Sequence, residues 1–151
     1  MNGTGPKDPA GFAIVEHTAD VGLRIWAPTL EGLFDQAAMG MVSLLTDPGK
    51  VRPGRTEEVA VDGADLEETL IAWLQEILYR FEVKRFVPSR IEIQEVTPRK
   101  VRARVEGESL DRTRHEVRMD IKAATYHDLA VRREQETDGS HRWSTTVIFD
   151  I

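Results

Sequence analysis

The spacing of apolar residues along this chain switches between a period of two and one of about 3.6, and the switches mark its elements. Phe12-Ala-Ile-Val-Glu16 is a short apolar run that predicts a first strand. The turn-prone stretch His17-Thr-Ala-Asp20 interrupts it. Val21, Leu23 and Ile25 then alternate with Gly22, Arg24 and Trp26, the signature of a second strand. Strands this close in sequence pair as a hairpin, with His17 to Asp20 near its bend.

Pro28-Thr29 opens a helix, with Thr29 as the N-cap whose hydroxyl accepts an orphan N–H. Leu30, Leu33, Phe34, Ala37, Ala38, Met41, Val42 and Leu45 form one continuous apolar face, and Asp47-Pro48-Gly49 ends it. Residues 49–58 read as a loop, and Glu58 to Val61 as a small strand. Asp65 and Glu68 make a capping-box arrangement ahead of a second helix. That helix carries Leu66, Leu70, Leu74, Ile77, Leu78 and Phe81 on one face, widened by Ile71 and Trp73.

After Pro88 the period returns to two. Ile91 and Ile93 mark one strand, and Val101, Ala103 and Val105 the next, with Thr97-Pro98 turning between them. Glu106 to Arg114 reads as a polar connection. Val117, Met119, Ile121 and Ala123 alternate again, and Leu129 with Val131 suggests a short strand. Thr137-Asp-Gly-Ser140 marks a hairpin turn before a last strand whose inner face is Trp143, Thr145, Val147 and Phe149. The order predicts an α+β fold, two helices packed on a mostly antiparallel or mixed sheet. One compact domain spans residues 11–151, with residues 1–10 as a flexible lead-in.

Composition narrows the chemistry. Lys plus Arg is 20 and Asp plus Glu is 26, a net charge of −6 that argues against a general nucleic-acid binder. Cysteine is absent, which removes disulfides, zinc fingers, iron–sulfur clusters and thiol catalysis together. No apolar run approaches a membrane span, and Met1 to Ala10 lacks the apolar core of a signal peptide, so the cytoplasm is the expected location. The sequence has no Walker lysine loop, no Gly-x-Gly-x-x-Gly and no Gly-x-Ser-x-Gly, so it offers no nucleotide pocket of its own.

Four segments are more specific than a generic sheet requires. They are His17-Thr18-Ala19-Asp20-Val21-Gly22, the stretch from Trp73-Leu74 to Phe81-Glu82, Ile121-Lys122-Ala123-Ala124-Thr125-Tyr126-His127, and Val147-Ile148-Phe149-Asp150-Ile151. In this order and spacing the chain resembles the archease family from Phe12 to Ile151. The resemblance implies a compact α+β domain and a non-catalytic accessory protein. Its implied partner is an RtcB-type RNA ligase of tRNA splicing and RNA repair, whose guanylylation and multiple turnover it promotes. It also implies a divalent-cation site, Ca²⁺ foremost with Mg²⁺ or Mn²⁺ as alternatives, at Asp20, Asp150 and an oxygen of Ile151. Lys122 lies in a segment that the family marks strongly and is a candidate for contact with the partner or the site; His17 is a second candidate by its imidazole donor and acceptor.

The residues themselves leave these readings open. The absence of thiolates argues against a soft-metal site, whereas hard cations take oxygen ligands. If the last strand lies beside the first hairpin, Asp20, Asp150 and the terminal carboxylate converge and need a neutralising cation or a partner's Lys or Arg. Asp20 could equally cap a turn while Asp150-Ile151 frays. A metal-dependent phosphoesterase on the same carboxylates and a chaperone-like modulator of nucleic-acid enzymes are the alternative functions. His17 orients Asp20, touches the partner, or is a satisfied structural histidine. Lys122 is a contact residue or an ordinary strand-edge lysine. His127 reads as buried and hydrogen-bonded, His115 as structural or exposed. Arg99, Lys100, Arg102, Arg104, Arg112, Arg114, Arg118 and Arg132-Arg133 could touch RNA, but the glutamates between them favour a solvated face. The tryptophans read as two core residues and one half-exposed anchor.

Overall fold

The computed structural model describes residues 8–16 and 20–151. Its elements run β1 (Gly11–Glu16), β2 (Asp20–Ala27), α1 (Leu30–Leu45), β3 (Arg55–Asp62), α2 (Leu66–Glu82), β4 (Phe86–Thr97), β5 (Lys100–Ser109), β6 (Ala123–Thr125), β7 (Arg132–Gln135) and β8 (His141–Asp150), with a 3-10 turn at Pro48–Lys50. The α+β expectation holds, and every strand pairing is antiparallel. The strands form two sheets, not one. One has the order β1-β2-β8-β6, with β7 also pairing β8; the other is β3-β5-β4.

The helices form where local signals place them. Thr29 accepts from the Gly32 N–H at 3.0 Å and caps α1. Asp65 accepts from the Glu68 N–H at 2.8 Å, while Glu68 reaches back to the Ala64 N–H. α1 lies between the sheets and touches both β2 and β4. Its Leu33, Phe34, Ala37, Ala38, Met41, Val42 and Leu45 are fully buried. Gly40 allows that contact: a Cβ there would lie 2.6 Å from Leu23 of β2 and 3.0 Å from Phe12 of β1. α2 packs on β3, β4 and β6 and is tied to α1 by the Trp73 indole, which donates to the Phe34 carbonyl at 2.9 Å.

Several expected boundaries shift. β3 begins at Arg55, within the expected loop, and β5 continues to Ser109, through residues expected to be a polar connection. β4 begins at Phe86, ahead of Pro88, which an edge strand tolerates because its missing N–H need not face a neighbour. A Cβ on Gly107 would meet the Val87 carbonyl at 2.0 Å, so the β4 backbone passes closer there than a side chain permits. Residues 110–122 form no strand, although Ile121 is buried. The Arg118 N–H instead donates to the Leu45 carbonyl, pinning this segment to the end of α1. Leu129 and Val131, expected to form a short strand, lie outside one; the strand that follows is β7, from Arg132 to Gln135. Among the described residues no helix is long and apolar enough to cross a membrane.

Trp73→Phe keeps the ring in the core but removes the donor that joins the two helices. It should cost about 1–3 kcal/mol in chemical denaturation. Asp35 of α1 gives a pH signature. Burial raises its carboxyl to about 6, against a smaller opposing effect of Arg90. The fold therefore favours the protonated form, so this stability is full below the unfolded value near 3.8 and is lost as pH rises through about 6. Asp35→Asn should gain stability over the parent at pH 7 and lose most of that advantage at pH 4, read as the difference in melting temperature.

Candidate functional site at the paired ends of two strands

The register of β2 against β8 builds this site. Val21 faces Phe149, Leu23 faces Val147, and Ile25 faces Thr145 on the core side. Because side chains alternate across a sheet, the partners between them point outward. These are Asp20 with Asp150, Gly22 with Ile148, and Arg24 with Thr146. Asp20 and Asp150 are thus direct cross-strand neighbours on the outer face. On the other side of β8, Ala123 of β6 is the second partner of Asp150, and the Lys122 N–H donates to the Asp150 carbonyl at 2.8 Å.

Asp20 Oδ1 is buried and has no hydrogen-bond partner among the described residues. A buried carboxylate oxygen without a donor is costly, and a bound cation is one way to satisfy it. Asp20 and its cross-strand partner Asp150 both offer hard oxygen donors, and Ile151 follows Asp150 in the chain. Among the described residues, no three His, Cys, Asp or Glu side chains assemble into a group that could hold a metal. The side chains at this end therefore supply two carboxylates, and further oxygens have to come from main chain, terminus, water or a partner.

Asp20 also borders a cleft of about 230 Å³ shared with His127, Asp128, Thr146 and Ile148. His127 was expected to be buried; instead its side chain is 70% exposed, with Nε2 3.4 Å from Asp128. The cause is the shortness of β6, which ends at Thr125, after which Asp128 adopts a left-handed φ of 53°. No period marked this residue for the site, because the turn that carries it follows a three-residue strand. His17 lies outside the described residues. Lys122 precedes β6 and does not lie within a strand. Its main chain adjoins Asp150, while its exposed side chain borders a groove with Gln75, Tyr79 and Glu82 of α2. Ile151 is 41% exposed.

The remaining candidates fall into place by pairing. His115 is buried and structural: its Nδ1 accepts from the Asp111 N–H, leaving Nε2–H to face Glu108 at 2.9 Å. The Glu108 carboxyl is held down to about 2, chiefly by its hydrogen bond from Arg114. Much of the basic stretch is neutralised. Arg104 pairs with Glu58 and Glu92, Arg102 and Lys100 with Glu95, Arg114 with Glu108, and Arg118 with Glu116. Trp26 and Trp73 are both buried, Trp73 within the core cluster and Trp26 on the opposite face of β2, and Trp143 is half-buried.

Two carboxylates opposed across an antiparallel pair repel, at a cost of about 0.2–1 kcal/mol. Asp20→Asn should therefore raise the melting temperature slightly in the presence of a chelator. Added Ca²⁺ should stabilise the parent and leave the variant unchanged, as read in a thermal-shift titration.

The comparisons with known proteins agree with this architecture. A family model described as the Archease protein family (MTH1598/TM1083) matches residues 12–151. A protein archease of Methanopyrus kandleri is 39% identical over 140 residues, covering 91% of this chain and 96% of that protein. A protein archease of Methanosarcina acetivorans is 33% identical over 150 residues, covering 97% and 99%. The solution structure of protein 1598 of Methanobacterium thermoautotrophicum superposes with a TM-score of 0.73 at 26% identity, covering 93% of this chain and 99% of that one. With the family model spanning both carboxylates and nearly every strand that positions them, this chain belongs to the archease family.

Proposed function

We propose that this protein is a non-catalytic accessory factor that activates an RtcB-type RNA ligase. It promotes guanylylation of the ligase and its repeated turnover in tRNA splicing and RNA repair. The observation that carries the reading is the Asp20–Asp150 register pair with a buried Asp20 oxygen that has no partner among the described residues, in a chain of this family. Asp20, Asp150 and an oxygen of Ile151 would hold a divalent cation, Ca²⁺ or Mg²⁺ by the hardness of the donors. When bound, that cation supplies positive charge at an otherwise acidic tip. The chain's own part is to hold the carboxylates in place on paired strands and to present them to the ligase. Activation then follows from binding a guanylylation-competent ligase state more tightly than the resting one.

The test is labelled GTP with a cognate ligase. Protein added below stoichiometry should raise the rate of ligase guanylate formation, and the protein alone should take up no label. Asp20→Ala and Asp150→Ala should each lower activation by about tenfold or more while remaining folded. Full activation by a folded Asp20→Ala variant would show that the site lies elsewhere. Hydrolysis of a phosphate ester by the protein alone would favour the phosphoesterase.

A further inference from the structure

Beside the acidic cleft, on the same outer face, lies a second cleft of about 220 Å³. The two share Asp128 and Thr146. Register explains what lines the second one. Arg24 of β2 is the partner of Thr146, and Arg132 of β7 is the partner of Ser144, so the two arginines flank β8 from opposite sides on one face. Their strands lie two steps apart, about 10 Å, a span that two arginine side chains can close onto one small anion.

Many arginines of the described chain are committed to carboxylates, whereas the exposed side chains of Arg24 and Arg132 make no ion pair or hydrogen bond among the described residues. Thr146 lines the cleft between them, and its hydroxyl makes no hydrogen bond among the described residues. Two carboxylates share the lining. Glu134 accepts from the Ser144 hydroxyl at 2.8 Å, and Asp128 faces His127 at 3.4 Å. No aromatic side chain lines the cleft, so it has no platform for a base.

We propose that the cleft between Arg24 and Arg132 binds a phosphate monoester. Such a group is close to dianionic at neutral pH and has three free oxygens, enough for two guanidinium groups and one hydroxyl. Asp128 and Glu134 keep the binding weak. The proposal stands on the two arginines and not on the cation reading. Asp20→Asn separates the two, since it should abolish Ca²⁺ binding without weakening phosphate binding.

The test is an NMR titration of the chelator-treated protein with three probes: inorganic phosphate, a short RNA with a terminal phosphate, and the same RNA ending in a hydroxyl. The two phosphate probes should shift the Arg24, Arg132 and Thr146 signals, and the hydroxyl-ended RNA should not. Tighter binding of the phosphorylated RNA identifies a nucleic-acid end as the ligand, while equal affinities identify the free anion. Arg24→Gln and Arg132→Gln, which break no hydrogen bond or ion pair among the described residues, should each weaken binding roughly fivefold. Asp128→Asn keeps a residue suited to the left-handed conformation and should strengthen binding. Wild-type affinity in both arginine variants, or an acidic peptide binding as tightly as the phosphorylated RNA, would overturn the proposal.

Discussion

The pairing of β2 with β8 is the constraint on which the rest depends. It joins the first hairpin to the last strand of the chain, 130 positions apart at the Asp20–Asp150 pair. Sheet pleating leaves little choice in how they meet. Phe149, Val147 and Val21 have to face the helices, and a slip of β8 by one residue would turn Phe149 and Val147 toward solvent. The register that buries them also sets Asp20 opposite Asp150. The acidic pair is therefore a consequence of the core, and the strong apolar alignment beneath it overrides the modest repulsion between two opposed carboxylates.

Sequence order made some of this visible and hid the rest, for physical reasons. The helices were legible because their signals are local: Thr29 and Asp65 cap, and the apolar faces repeat within a few residues. Asp20 and Asp150 were legible through the family resemblance, and their convergence depended on a pairing that no local signal specifies. The split into two sheets was not readable, since alternation reports that a strand has a buried face and not which strand it joins. Val117, Met119 and Ile121 alternate without forming a strand, because that segment finds its hydrogen bonds at the end of α1. β7 reads Arg-Arg-Glu-Gln, wholly exposed, and is held by its ladder to β8 without apolar burial. His127 escaped for a related reason, since three residues of β6 are too few to establish which face its successor occupies.

The two sheets dispose of their charge differently. On the outer face of β3-β5-β4, arginines meet glutamates across neighbouring strands, as Arg104 does with Glu58 and Glu92. Those cations are satisfied internally, and exposed pairs of this kind add little stability and little attraction for an outside anion. On the outer face of the larger sheet, among the described residues, Asp20 has an oxygen without a partner, and the Arg24 and Arg132 side chains stand unpaired two strands apart. The net charge of −6 therefore says little about where this molecule interacts. These three side chains lie together on one face.

That face is also rigidly held. Asp150 is paired on one side to β2 and on the other to β6, and the Lys122 N–H fixes its carbonyl. β6 is anchored in turn to α2, because the Ala124 N–H donates to the Gln75 side chain at 2.9 Å. Gly22, beside Asp20, leaves room for Ile148 and Val15 to pack across it, with a missing Cβ that would lie 3.2 Å from the Ile148 side chain. The acidic end thus sits on strands braced from both sides and from the helix below. Groups positioned this way lose little conformational freedom when a cation or partner arrives, so more of the interaction energy remains to favour one state of the partner over another.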